Sequence, residues 1–292
     1  MSIFFWSRCI MEKPFTPDSY RACCSLCGRA QTFERRAYAI RETYRCAGCR
    51  ASLREREQAA ALLACYATPA VVSIAQLVEQ PSFRNLRIYE PGTSGPFRAL
   101  MRSLPFHQQS DYLPPERRAN PDPKLLHQDL QSMDFPDQAF NLVLSSDILE
   151  HVRHPRRALA EIARVLKPGG RHIFTVPLQH PMAAASVARV DVSTAEDRHL
   201  LAPHYHGDGK GGRSLVYTDF GADIADFAAA AGFTTQFHRP ATTSQTANMV
   251  VTLVCMRRPL PARHDNTQGS ATAQPQGRTD DKGSAAISQN LA

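Results

Sequence analysis

From Asn85 onward, short apolar and β-branched runs alternate with stretches whose apolar positions recur at helical spacing. That alternation confines a chain to a largely parallel sheet covered by helices on both faces. Leu86 to Glu90 reads as the first strand and Phe97 to Leu104 as the helix after it. A second strand ends near Asp111-Tyr112, a third near Lys124 to His127, and a fourth is Phe140 to Ser146. Pro155 to Leu166 places Ala158, Leu159, Ile162, Val165 and Leu166 on one helical face. Lys167-Pro168-Gly169-Gly170 then stops the helix with a cation at the negative end of its dipole and residues that cannot continue it. His172 to Val176 is strand five. After a long insert, Gly221 to Ala231 is helical, and Phe233 to His238 with Met249 to Met256 forms an antiparallel closing pair. The expectation is an α/β domain over residues 84–258 with a seven-stranded sheet.

Ahead of this domain, Cys24-x-x-Cys27 and Cys46-x-x-Cys49 lie eighteen residues apart. That is the spacing of a four-cysteine zinc ribbon, in which each pair forms a knuckle pointing two thiolates at one ion. Gly28 and Gly48 supply the loose backbone such turns favour. With no open coordination position, the zinc is expected to be structural, folding a segment (20–58) too small for a core of its own. Ser52 to Cys65 reads as an amphipathic helix with a charged start, and residues 59–83 as a helical linker. Residues 1–19 and 259–292 are expected to be disordered, the tail because it is rich in Gln, Ser, Thr, Gly and Ala.

The eight cysteines, half of them in these pairs, point to a reducing cytoplasm rather than a secreted disulfide framework. No segment reaches the roughly 20 apolar residues of a membrane helix. Of the formal net charge of +7, residues 1–58 carry +5, from eleven Lys/Arg and six Asp/Glu. A modest basic patch of this kind permits contact with phosphates but does not require it.

The turn Glu90-Pro91-Gly92-Thr93-Ser94-Gly95 follows an apolar strand and opens a helix, so the backbone at Gly92 and Gly95 can approach a bound nucleoside. It is not the dinucleotide fingerprint, and Glu90 suits a cofactor bearing an ammonium and a sulfonium better than a pyrophosphate. About twenty residues later Asp111 ends the second strand, where a carboxylate can accept both ribose hydroxyls. With His127-Gln-Asp-Leu130, the run Phe135 to Glu150-His151 and Arg164-Val-Leu-Lys-Pro-Gly-Gly170, the chain resembles the small-molecule branch of class I S-adenosylmethionine (SAM) dependent methyltransferases. The resemblance implies a Rossmann-like sheet, Glu90 near the methionyl end of SAM, Asp111 on the ribose, Asp129 and the Leu130 backbone on adenine, and Asp147 at the cofactor mouth. Ser94 and Pro96 stand where the family has its second and third glycines. Arg41-Glu42, Arg54, Arg56, His204 to Asp208 and Leu215 to Gly221 resemble zinc-ribbon methyltransferases linked to surface-glycan and sugar modification.

Methyl transfer from a sulfonium is an in-line displacement that depends chiefly on positioning in a dry pocket. A hydroxyl acceptor gains from a general base, and histidine is the default. The candidates are His151, His180, His204 and His206, with His151 and His206 preferred. The expected activity is O- or N-methylation of a small-molecule or glycan acceptor. Methylation of ribosomal RNA is the runner-up, because zinc-finger RNA methyltransferases resemble this domain order. Against it, residues 20–58 hold few aromatics for base stacking, Phe33, Tyr38 and Tyr44. A third reading, from the altered glycine turn, is a non-catalytic binding protein. An NAD-dependent dehydrogenase is opposed by Glu90.

Overall fold

Short strands apolar at successive positions, such as Leu142-Val143-Leu144, dictate a sheet buried on both faces, and the computed structural model has that sheet. It describes residues 19–36, 39–92, 95–113, 126–179, 181–208, 211–239 and 250–259. The expectations for residues 1–18 and for the tail beyond Pro259 lie outside these residues.

At the front, β1 (Ser19–Cys23) and β2 (Ala30–Glu34) pair antiparallel, Cys23 opposite Ala30, around the first Cys-x-x-Cys turn. The two turns close alike: Gly28 N donates to Cys24 O and Arg50 N to Cys46 O, each at 2.8 Å. Gly28 takes the left-handed conformation of the first turn (φ 77°), but Arg50, not Gly48, takes it in the second (φ 63°). Gly48 serves a different need, since a Cβ there would lie 2.9 Å from Arg29 Nε. Helix α1 (Leu53–Tyr66) follows at once, its start fixed by Glu55 reaching back to accept from Ser52 N at 2.7 Å. Short helices α2 (Ile74–Leu77) and α3 (Pro81–Arg84) lead onward. Ile74 N and Ala75 N bond to Ser25 O and Leu26 O at 2.8 Å, tying this link back to the ribbon.

The domain proper contains β3 (Ile88–Pro91), α4 (Pro96–Met101), β4 (His107–Ser110), β5 (Phe140–Ser146), α5 (Pro155–Val165) and β6 (Leu166–Thr175). An insert follows, built of three short pairings: β7 (Val187–Ala188) with β12 (Thr218–Asp219), β8 (Val190–Asp191) with β9 (Arg198–His199), and β10 (Tyr205–Gly207) with β11 (Arg213–Leu215). Helix α6 (Ile224–Ala230), β13 (Phe233–His238) and β14 (Thr252–Arg257) complete it. The sheet order is β13-β14-β6-β5-β3-β4; β4, β3, β5 and β6 run parallel and β14 runs antiparallel to both neighbours. This is a Rossmann-like α/β fold with six strands among the described residues rather than the expected seven. Of the expected third strand, Lys124 and Leu125 lie outside those residues. What is described is a parallel bridge, Asp111 to His127, in line beyond β4. Lys167 to Gly170 does not interrupt the chain between helix and strand. It bulges within β6, so that Phe140 opposes Leu166 and Leu142 opposes Arg171.

Successive strand residues feed two clusters. Ile88, Leu142, Leu144, Ile173 and Val254 face one way, into a cluster with Leu26, Phe33 and Tyr44 of the ribbon and Ala59, Leu62 and Leu63 of α1. Tyr89, Val143, Phe174, Leu253 and Cys255 face the other way, onto Leu159 and Ile162 of α5 and Ile224 and Ala228 of α6. The ribbon and α1 therefore cover one face of the sheet. The described residues, 19 to 259, belong to one compact unit, and α1 straddles the expected ribbon boundary at 58/59. The charged start of α1 is not a solvent face: Arg56 is buried with its guanidinium 3.7 Å from the Phe33 ring centroid, and Gln58 is buried as well.

His172 in β6 is wholly buried, stacked on Phe174 with centroids 4.3 Å apart and with Nε2 2.9 Å from Ser145 Oγ. Burial pushes its pKa down to about 3. The unfolded chain, with an ordinary histidine pKa near 6.5, takes up this proton first, so stability is full above that value and falls as pH drops towards 3. Between pH 6 and 4.5, His172→Phe is expected to remove about 1.5 to 2 kcal/mol of pH dependence, at about 1.4 kcal/mol per pH unit. Denaturant midpoints of both proteins at the two pH values check this; parallel losses would refute it.

Candidate active site

Strand order reverses between β3 and β5, because the chain builds outward from β3 to β4 on one side and from β5 to β6 on the other. Ligands of open α/β sheets bind in the crevice at the carboxyl ends of such strands. Glu90, near the end of β3, is buried, and its Oε2 meets His107 Nε2 at 2.9 Å and Gln109 Nε2 at 3.1 Å from β4. The glycine turn starts with Gly92 (φ 95°), whose N donates to Ser110 O at 2.8 Å, and ends with Gly95 (φ 109°) before α4; both positions need glycine's freedom. Thr93 and Ser94 lie outside the described residues, and Pro96 is the first residue of α4, where a missing N–H costs nothing. Asp111 closes β4 and bridges His127. Asp129 follows two residues later, its Oδ1 accepting from Gln131 N at 2.9 Å and Gln131 Nε2 at 3.0 Å, and Leu130 is buried. The Asp111–His127 bridge thus brings the segment that carries Asp129 alongside the residue after β4.

Asp147 has a different neighbourhood. It holds a left-handed backbone (φ 49°) just after β5, and its carboxylate is gripped from the ribbon side. Arg41 Nη2 lies 2.8 Å from Oδ1 and Nη1 3.1 Å from Oδ2; Arg54 Nε lies 3.1 Å from Oδ2; Thr175 Oγ1 donates to Oδ1 at 2.9 Å. Burial works to raise its pKa, but the two guanidiniums overcome it and hold the carboxyl at about 2. Arg54 also pairs with Glu42 at 2.7 Å, and Arg41 donates to Val176 O at 3.2 Å. From α1, Gln58 Nε2 donates to Ser145 O at 2.7 Å and Ile173 O at 3.2 Å. Arg41 and Arg54 therefore tie the ribbon side to the carboxyl ends of β5 and β6, and Gln58 bonds both strands just before those ends.

Beyond Asp147 the chain makes one turn, Leu149 to His151, in a segment that touches both the glycine turn and a cavity. A Cβ on Gly92 would stand 3.7 Å from Ile148 Cδ1. The cavity, of about 240 Å³, is lined by Glu150, His204, His206, Arg189, Thr218 and Asp219, among others. Glu150 is 1% exposed, and neither of its carboxylate oxygens has a hydrogen-bond partner among the described residues. Burial, helped by the Asp147 charge, pushes its pKa up to about 8. Its Oε1 lies 3.6 Å from both His151 Nε2 and His206 Nδ1. His151 Nδ1 meets Leu215 O at 2.8 Å, which places its proton there and leaves the lone pair on Nε2. His206, on the β10–β11 hairpin, has its pKa lowered by burial and is a neutral base near pH 7. Arg189 and Asp219 pair with each other at 2.6 Å.

The structure thus brings the two preferred histidines together, rings 5.1 Å apart, with His204 a further 4.9 Å from His206. His180 lies outside the described residues. Sequence reasoning passed over Glu150, which it quoted only within a motif; an acidic residue framed by Ile148, Leu149 and Val152 was the available signal. Arg41 and Arg54 were noted as resemblance positions without a role, and a partner 106 residues distant leaves no local trace.

The four cysteines converge as their spacing implies. Cys24 Sγ lies 3.7 Å from Cys49 Sγ, Cys27 Sγ lies 3.5 Å from Cys46 Sγ, and all four sulfurs fall within 4.8 Å of one another. A tetrahedral zinc with bonds of about 2.3 Å separates its sulfurs by roughly 3.8 Å, close to the 3.7 and 3.5 Å of these two pairs, so the set suits that ion.

Residues 105–174 match the family described as "Methyltransferase domain". A 65-residue stretch is 37% identical to a demethylmenaquinone methyltransferase from Renibacterium salmoninarum, covering 22% of this chain and 27% of that protein. The chain thus spans about a quarter of that relative's length. Among solved structures, a SAM-dependent methyltransferase from Mesorhizobium loti is 19% identical, with 61% of this chain and 94% of that one covered at a TM-score of 0.40. The sugar N-methyltransferase KedS8 from Streptoalloteichus is 16% identical, with 64% and 85% covered at a TM-score of 0.41. Among the described residues, no helix is long and apolar enough to cross a membrane.

Proposed function

We propose that this protein is a SAM-dependent methyltransferase acting on an oxygen or nitrogen of a polar small-molecule or sugar acceptor. The observation that carries the reading is that one short segment reaches both places: Ile148 lies against the glycine turn and Glu150 lines the cavity, so a cofactor crevice and a pocket carrying several polar side chains adjoin within three residues. SAM, when bound, supplies an electrophilic methyl on a sulfonium. Glu90, Gly92, Gly95, Asp111, Asp129 and the Leu130 backbone hold it in that crevice, and Asp147 serves it indirectly, by fixing the mouth. In the pocket, His206 or His151 takes the proton of the acceptor while the acceptor lone pair attacks in line, and the methyl–sulfur bond breaks to leave a neutral thioether. Arg189, Thr218 and Asp219 present the donors and acceptors that a hydroxylated ligand satisfies. The four-cysteine cluster holds a structural zinc.

The RNA reading loses support from the placement of the ribbon's arginines. Arg41 and Arg54 are spent on Asp147 and Glu42, and Arg56 on the rings of Phe33 and Tyr20, so these three arginines are withdrawn from any phosphate footprint, while Arg21, Arg29, Arg35, Arg36, Arg45 and Arg50 stay exposed. Calorimetry with SAM and S-adenosylhomocysteine tests the cofactor assignment; no binding by the zinc-loaded protein would leave the non-catalytic reading standing. Incubation with isotopically labelled SAM and extract fractions split into small molecules, glycans and RNA tests the acceptor class, and label confined to RNA would overturn it. His206→Ala is expected to lower kcat about 10²-fold while leaving SAM affinity unchanged, in the range for loss of a general base. Equal loss of both would move His206 to the cofactor side.

A further inference from the structure

The geometry points to a second metal site in this protein: a divalent transition ion of the zinc class, held by Glu150, His151 and His206 at the floor of the acceptor cavity. Three ligand atoms, Glu150 Oε1, His151 Nε2 and His206 Nδ1, lie within 4.8 Å of one another, and both imidazole nitrogens stand 3.6 Å from the carboxylate oxygen. Ligands at about 2.0 to 2.2 Å in tetrahedral geometry are roughly 3.4 Å apart, so the two carboxylate–imidazole spacings need contract by only a few tenths of an ångström, and the two imidazole nitrogens, within 4.8 Å of each other, complete the set by a side-chain adjustment.

Three independent features favour an ion over a plain hydrogen-bonded cluster. His151 donates its Nδ1 proton to Leu215 O, which directs an Nε2 lone pair at a carboxylate oxygen that is itself an acceptor. A proton shared between them would draw the pair to hydrogen-bond distance, whereas both imidazole nitrogens stand at 3.6 Å from the oxygen, a spacing that a bridging cation fills better. A backbone carbonyl on the far nitrogen is also the usual device that fixes a ligand histidine's tautomer and ring plane. Second, Glu150 is 1% exposed and neither of its oxygens has a hydrogen-bond partner among the described residues, an arrangement that buried carboxylates reserve for metals and pairing cations. The available arginine, Arg189, is already paired with Asp219. Third, the ligand set leaves coordination positions open towards the cavity, and two histidines with one carboxylate is the donor set of catalytic rather than structural zinc. The sequence places Glu150 and His151 next to each other and His206 on a hairpin from the insert, so the ion also pins that hairpin over the pocket.

Within the proposed methyltransferase, such an ion would occupy the lone pairs of His151 and His206 and replace them as the deprotonating element, binding an acceptor oxygen and favouring its deprotonated form. The test does not depend on that activity. Full-length protein is stripped of metal under reducing conditions, titrated with Co²⁺, and its zinc content is measured separately after loading with Zn²⁺ and desalting. Wild type is expected to bind two equivalents. One gives intense thiolate charge-transfer bands from the four cysteines, and the other gives only weak d–d bands, as nitrogen and oxygen ligands do. Glu150→Gln and His206→Gln are each expected to drop from two equivalents to one while keeping the thiolate bands, which report an intact ribbon. A wild type that saturates at one equivalent overturns the proposal, as does retention of two equivalents by both variants. Should one variant lose its thiolate bands through misfolding, the other decides; if both do, the wild-type count does. Failure of SAM to bind in calorimetry would defeat the methyltransferase reading and leave the metal count untouched.

Discussion

Removing zinc from the four-cysteine cluster is expected to unfold far more than the ribbon. A structural zinc of this kind carries about 10 kcal/mol or more of apparent folding free energy, against a total of about 5 to 15 kcal/mol for a typical domain. In an appended module the loss would stay local. Here Leu26, Phe33 and Tyr44 share one buried cluster with Leu142, Leu144 and Ile173 of the sheet, and α1 lies across that face. Without the two knuckles, β1, β2 and the start of α1 have too little core to hold their places, and one side of the sheet is left bare. Cys46→Ser, or chelation of the wild type, should therefore lower the melting temperature by well over 10 °C and raise amide exchange along α1, β5 and β6 as well as in residues 19–36. Exchange confined to the ribbon would show that the shared cluster contributes little.

The same shared face explains which parts of the architecture could be read from the residues. Strands β5 (Phe140–Ser146) and β13 (Phe233–His238) match their expected bounds because each is a compact apolar or alternating run closed by turn-forming residues. The order of elements followed from periodicity for the same reason. Helix α1 also lies within a residue of its expected bounds, but the charged start expected of it, Arg54-Glu55-Arg56-Glu57, says nothing about where those side chains go. Local pattern carries no information about a ribbon folding back to cover those residues, so burial of Arg56 on Phe33 and of Gln58 on β5 and β6 was out of reach. The candidate site divides along the same line. Cysteine spacing is a local signal and the four sulfurs converge. The acidic residues at strand ends lie where strand order puts them, whereas the surroundings of Asp147 and Glu150 depend on side chains arriving from residues 41–58 and 204–219.

Asp147→Ala is expected to be among the most destabilising substitutions outside the metal ligands. Its carboxylate faces both Arg41 and the Nε of Arg54, whose second partner is Glu42. The side chains of Asp147, Arg41 and Arg54 are at most 20% exposed, so solvent screens the interaction only partly. Deleting the anion leaves Arg41 with only the Val176 carbonyl and Arg54 with Glu42 alone, so the loss is expected at the low end, about 3 kcal/mol, of the cost of removing one partner from a buried ion cluster. Glycine at the same position keeps the loss of charge but accepts the left-handed backbone, φ 49°, that Asp147 adopts at a cost. Asp147→Gly should accordingly be the milder of the two by about 1 kcal/mol. Arg41→Ala, which removes one cation and leaves Asp147 paired with Arg54, should fall below both. Denaturant midpoints for the three variants give the ranking. If Arg41→Ala proves the most damaging, the cluster is stabilised chiefly by Arg41 bonding to Val176 O at the end of β6, and the carboxylate is a minor member.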